Sequence, residues 1–119
     1  MFTSNGMMPF TEKRPWGEFR EFALNEPATV KILQIVKGQE FSLQVHEHRG
    51  EFWHILSGHP SVTIGEKVMQ GNPGDEFVAL VGVVHRIEAP KDDVRILEIS
   101  RGKFDEGDIV RIEDKYGRT

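Results

Sequence analysis

The chain has 119 residues, enough for one domain with a single sizeable core. Its 15 Lys and Arg against 19 Asp and Glu give a formal charge of −4, which offers no basic footprint for nucleic acid or an anionic membrane surface. With no cysteine, disulfides and thiolate metal sites are excluded, and no apolar run approaches the ~20 residues that span a bilayer. The start, MFTSNGMMPF, lacks the basic-then-apolar order of a secretory signal, so a cytoplasmic protein is expected.

Residues 1–13 show no period and read as a terminal segment. Their Phe2, Met7, Met8 and Phe10 carry enough apolar surface to suit packing on a partner subunit. The domain proper is placed at residues 14–118. Arg14-Pro15-Trp16-Gly17 is a turn-like entry, residues 18–22 alternate as a strand, and Asn25-Glu26-Pro27 turns the chain. The next strand, residues 30–37, puts Lys31 on the same face as Leu33 and Ile35. Two strands and a tight connection follow within residues 38–58, the second opening at Glu51 as EFWHIL, then strands at 61–64 and 67–70 around a Gly65-Glu66 turn, and at 76–80, 84–89 and 94–100. The last stretch, GKFDEGDIVRIEDKYGRT, reads as one short strand around Ile109, Val110 and Ile112 with a polar tail. Short strands with turns every eight to twelve residues and no helical period predict an all-β sandwich or barrel.

The most informative stretch runs from Gly38 to Gly58. Residues two apart in a strand share a face, so Gln44 and His46 point together, and Glu51, Trp53 and Ile55 do so on the next strand. An amide oxygen, an imidazole and a carboxylate converging from adjacent strands make three quarters of a divalent metal site, and His85 is the best candidate for the fourth ligand. One anionic and three neutral ligands leave the ion a residual positive charge for Lewis-acid work. Zinc fits; nickel, iron, cobalt and manganese are alternatives. His48 shares the parity of Gln44 and His46, His54 falls on the face opposite Glu51, and Arg86 points away from His85. Lys31, on an inward face, is a cation suited to a phosphate or an enediolate oxygen. Phe52, His54 and Leu56 give the outer face an apolar character that predicts a homodimer contact, the alternative being that the N-terminal segment of the same chain covers it.

The spacing Gly38, five residues, Gln44, one residue, His46, four residues, Glu51, six residues, Gly58 resembles the first cupin motif. Gly74, Leu80, Gly82 and His85 resemble the second, with leucine for the usual proline, while Gln44 stands where a first histidine is usual. RPWG, FSLQVHEHRGEFW, VHR and DIVRIEDKYGR resemble the isomerase domain of type II phosphomannose isomerases, along residues 14–118. The resemblance implies a cupin-type double-stranded β-helix, a jelly-roll barrel. It also implies a packed C-terminal segment over the barrel mouth. The implied activity is a metal-dependent aldose–ketose isomerase on a phosphorylated sugar, converting mannose 6-phosphate to fructose 6-phosphate. By the same likeness His48 is a fifth ligand, proton carrier or substrate contact and Arg49 is functional. For such an isomerase His48, whose ordinary pKa suits a base, is the preferred proton carrier, and Arg49 or Lys31 would hold the phosphate or polarise an oxygen. A different metal-dependent cupin enzyme, such as a dioxygenase or lyase, and a non-catalytic sugar-phosphate-binding cupin are the competing expectations.

Overall fold

The computed structural model describes residues 8–102, 105 and 107–117, so Phe2, Met7 and Arg118 lie outside it. Eleven strands make up the fold among the described residues. They are β1 (Phe10–Arg14), β2 (Gly17–Glu21), β3 (Ala28–Ile35), β4 (Leu43–Val45), β5 (Arg49–Ser57) and β6 (Ser61–Ile64), then β7 (Lys67–Gln70), β8 (Glu76–Ala79), β9 (His85–Glu88), β10 (Val94–Gly102) and β11 (Val110–Glu113). No helix among them is long and apolar enough to cross a membrane.

One sheet runs β3-β10-β5-β8 and the other β11-β4-β9-β6-β7, with β1-β2 as a separate hairpin. Alternation explains how they pack. Ile35, Trp53, Ile55 and Ile96 from the first sheet meet Val62 and Ile87 from the second in one apolar core. The architecture is therefore all-β, two antiparallel sheets face to face. No strand ladder among the described residues joins one sheet to the other, so the expected jelly-roll barrel is seen here as two facing sheets. The β6–β7 hairpin closes on Ile64 and Lys67 through Gly65, whose φ of 61° is the conformation such a two-residue turn demands. Gly58 is required for space as well as conformation. Its φ is 86°, and a Cβ there would stand 2.3 Å from the Asp93 carbonyl oxygen.

The turn at Pro15-Trp16 and β2 match the expected entry turn and strand, whereas β1, which pairs with β2 along its length, is not expected from the sequence. Both faces of β1 are largely exposed, so it carries no one-sided apolar pattern. The hairpin docks on the outer face of the first sheet. Arg20 donates through both terminal nitrogens to Glu76, at 2.5 and 2.8 Å, and His54 Nδ1 lies 2.7 Å from the same carboxylate. Beyond the hairpin, Phe22 covers Phe52 with ring centroids 5.8 Å apart, and Arg101 donates to the Phe22 carbonyl. Phe52 is thus buried, a correction to the exposed patch expected from parity. The chain's own N-terminal part supplies its cover.

The Arg20 hydrogen bonds hold the Glu76 carboxyl below its ordinary range against the opposing effect of burial, with His54 adding to the lowering. A depressed folded-state pKa means stabilisation that is complete above the unfolded value of about 4.3 and is lost as pH falls through the folded value. Glu76→Gln is expected to cost about 1–3 kcal/mol near neutral pH. Thermal midpoints measured from pH 7 to 3 should show the gap to wild type closing toward the acid end.

Candidate metal centre

The site lies between the sheets, beside Trp53. Gln44 on β4 is directly opposite His85 on β9, and His46 follows just past the end of β4. Glu51 comes from β5 of the other sheet. One ligand atom each from His46, Glu51 and His85 falls within a 4.8 Å set, and all three residues are buried. The two imidazole centroids are 4.9 Å apart, and the indole of Trp53 packs edge-on at 5.3 Å from His85.

Hydrogen bonding sets which ring nitrogens face inward. His46 Nδ1 donates to the Asp108 carbonyl at 2.6 Å and His85 Nδ1 to the Val83 carbonyl at 3.1 Å. A carbonyl can only accept, so each Nδ1 carries the proton and each Nε2 turns to the cluster. His46 Nε2 then stands 3.0 Å from Glu51 Oε1, and His85 Nε2 stands 3.8 Å from Glu51 Oε2. Glu51 Oε2 is buried with no hydrogen-bond partner. Lone pairs aimed at one another, with an orphaned carboxylate oxygen among them, call for a cation or an added proton between them. Donors around one divalent ion at ~2.0–2.2 Å lie roughly 3–4 Å apart, so the cluster can coordinate a divalent metal.

The electrostatics agree. Burial holds the His85 imidazole below its ordinary value, more than the Glu51 charge raises it, which favours the neutral form that binds metal. Burial pushes Glu51 upward, but its polar neighbours His46, Glu98 and His85 outweigh it, and the carboxyl is held well below the usual range. Glu98 behaves in the opposite way. Burial and the Glu51 charge push it up to about 8, and its Oε2 accepts from Trp53 Nε1 at 2.9 Å.

Gln44 Nε2 lies 3.5 Å from His85 Nε2, and its Oε1 accepts from Ser42 Oγ at 3.0 Å. A half-turn of the amide brings Oε1 to the cluster and leaves Nε2 donating to Ser42, whose hydroxyl accepts as well as donates. Arg49 is buried and fully engaged with its surroundings. Its Nε donates to Glu51 Oε1 at 3.1 Å, its Nη1 to the Asp105 carbonyl at 3.0 Å, and its Nη2 lies 3.4 Å from His46 Nε2. Asp108 completes the support. Its carboxylate accepts from the backbone N–H groups of Glu47 and His48 at 2.8 and 2.9 Å.

A cavity of about 210 Å³ opens beside Glu51 and is lined by Lys31, Gln44, Arg49, Glu98 and Arg111 among others. Lys31 faces inward, as its parity predicts. His48 is exposed and outside that lining. Strand parity stops applying to it because β4 ends at Val45 and Asp108 holds the turn. His54 and Arg86 point outward, Arg86 toward the Glu113 and Phe41 carbonyls at 3.3 Å each. His59 is exposed beside Asp92. Sequence reading missed two lining residues, Glu98 and Arg111. Glu98 had a signal, since it shares the inward parity of Val94 and Ile96 on β10.

Residues 5–114 match the mannose-6-phosphate isomerase C-terminal family. The chain is 38% identical over 108 residues to the xanthan biosynthesis protein XanB of Xanthomonas campestris pv. campestris, covering 89% of this chain and 23% of that protein. It is 34% identical to the mannose-1-phosphate guanylyltransferase ManC of Salmonella typhimurium, covering 89% and 22%. The chain therefore spans under a quarter of the length of these relatives. Among solved structures, an uncharacterized conserved protein with a double-stranded β-helix domain from Klebsiella pneumoniae superposes with a TM-score of 0.66 at 20% identity, covering 95% of this chain and 90% of that one. That likeness bears on the fold alone and gives the two facing sheets their double-stranded β-helix character. With nearly its whole length matched and the cupin ligand spacing realised as a buried His/His/Glu cluster, the chain belongs to the mannose-6-phosphate isomerase C-terminal family of the cupin superfamily.

Proposed function

We propose that this domain is a metal-dependent aldose–ketose isomerase acting on a phosphorylated sugar, interconverting mannose 6-phosphate and fructose 6-phosphate. The observation that carries this reading is the buried His46–Glu51–His85 cluster opening onto a cavity lined with cations, in a chain of this family. Gln44, His46, Glu51 and His85 would hold the ion, zinc before nickel, iron, cobalt or manganese. When bound, it would supply positive charge for the enediolate that forms when a carbon beside the carbonyl loses its proton.

The chain's own residues do the rest. Arg49 keeps the Glu51 carboxylate and the His46 ring in register through its three contacts and presents positive charge at the same place. Lys31 faces the cavity from β3. Proton transfer between the two carbons needs a group that reaches the substrate, and the two candidates differ in their place relative to the cavity. Glu98 lines the cavity, whereas His48 is exposed outside its lining, so placement favours Glu98 over the histidine preferred from sequence. Glu98→Gln is expected to lower kcat by ~10²–10⁴ with KM little changed, and His48→Gln by much less. The reverse ranking would return the proton to His48.

The deciding experiment incubates metal-loaded protein with mannose 6-phosphate in deuterated water. Proton NMR should show deuterium entering at C2 and fructose 6-phosphate accumulating. Sugar phosphate that binds but neither exchanges nor isomerises would leave a binding module and end the isomerase reading.

A further inference from the structure

Resting on the sugar-phosphate reading above, we propose that Lys31 and Arg111 form a two-pronged clamp for the substrate's phosphoryl group, set in the gap between the two sheets. β3 is an edge strand of the first sheet and β11 an edge strand of the second. Each sends one cation into the same cavity.

The sequence of β11 is what singles this arrangement out. A covering strand ordinarily turns its aliphatic residues inward and its charges outward. Here Val110 and Ile112 are 52% and 53% exposed, while Arg111 sits opposite Gln44 in the β11–β4 register and lines the cavity. Its Nε is shielded from solvent. Turning a guanidinium inward while leaving two aliphatic residues outside costs desolvation without apolar burial in return. The inward turn sets positive charge on the cavity wall, where an anionic group of a ligand can meet it.

On the opposite edge, Lys31 is paired across strands with Glu98 and shares an inward face with Leu33. Arg49 does not belong to this clamp, because its guanidinium is directed to Glu51, His46 and the Asp105 carbonyl. The three cations therefore divide into one that serves the ligand cluster and two that stand on the bordering edge strands. A planar fork on one side and a compact ammonium on the other suit a phosphoryl group, which presents several acceptor oxygens in different directions. The cavity, about 210 Å³, is smaller than the ~300–1,000 Å³ typical of drug-sized ligands and suits a single sugar phosphate. Bound in this way, the phosphate end stays with the edge strands and the reactive carbons lie toward Glu51.

The test measures binding apart from turnover. Zinc-loaded protein is titrated calorimetrically with glucitol 6-phosphate, which has no carbonyl to isomerise, and in separate arms with glucitol and with inorganic phosphate. Lys31→Gln and Arg111→Gln should each weaken glucitol 6-phosphate at least tenfold. Arg111→Lys should recover part of the loss, and Arg95→Gln, an exposed cation on β10, should change nothing. Zinc content and melting temperature of each variant identify any that fail to fold, and Arg111→Lys then serves in place of Arg111→Gln. Wild-type affinity in folded, zinc-replete Lys31 and Arg111 variants would overturn the clamp. Inorganic phosphate binding as tightly as glucitol 6-phosphate, with the same dependence on both residues, would assign the clamp to the free anion and overturn its sugar-phosphate role. If the clamp behaves as expected and mannose 6-phosphate is not turned over, only the isomerase reading fails.

Discussion

His46→Ala and His85→Ala are each expected to lose bound metal and turnover together, the metal to below a tenth of an equivalent per chain. Each imidazole supplies one Nε2 whose partner Nδ1 is already committed to a backbone carbonyl, so alanine removes both a donor and the device that aims it. The loss of turnover should be on the order of 10²–10³ or more, since the charge developing in the transition state loses its principal partner. Glu51→Gln tests the charge separately. It keeps the shape but removes the anion and leaves an amide among inward-facing nitrogens, so metal affinity should again collapse. Elemental analysis of dialysed protein, before and after chelator treatment, reads the result. Full occupancy in both histidine variants would rule out the ligand assignment, and rescue of chelator-treated wild type by zinc but not by the other divalent ions would identify the metal.

Trp53→Ala should be the most destabilising single change in the core, at about 3–5 kcal/mol. The indole is fully buried, packs against Phe41 and His85, and donates to Glu98. Its removal opens a cavity beside the ligand cluster and takes the donor from a buried carboxyl. For a domain of this size the thermal midpoint should fall by roughly 10–30 °C. Trp53→Phe keeps most of the packing but not the N–H, and should cost about 1–3 kcal/mol. Equal losses for the two substitutions would mean that the hydrogen bond to Glu98, not the ring volume, dominates.

How far the sequence could be read depended on whether a residue obeyed the period-two rule. Gln44, Glu51 and His85 did, because strand pairing and the pleat carry each of them to the inner side, and His46, one residue past β4, keeps that side through its hydrogen bond to the Asp108 carbonyl. The all-β architecture followed from the same alternation. His48 had the right parity but stands beyond the last residue of β4, in a turn whose geometry is fixed by a carboxylate sixty residues away. Nothing local announces that contact. Strand β1 was hidden because neither of its faces is buried, and Phe52 read as exposed because its cover comes from Phe22, a tertiary contact. Arg111 was missed for a different reason. The apolar residues flanking it suggest an inward face that the fold turns to solvent.

The hydrogen bond from His46 to the Asp108 carbonyl joins residues 62 positions apart, and that separation sets an order of events during synthesis. Chains elongate at about 5–20 residues per second, so Asp108 is made roughly 3–12 seconds after His46. All four proposed ligands have been synthesised by His85, yet the group that fixes the His46 tautomer arrives later, with the segment that also carries Arg111. Two of the strands that flank the ligands, β10 beside Glu51 and β11 beside Gln44, are likewise made after His85, so the ligand set becomes rigid only when its latest supports have been added.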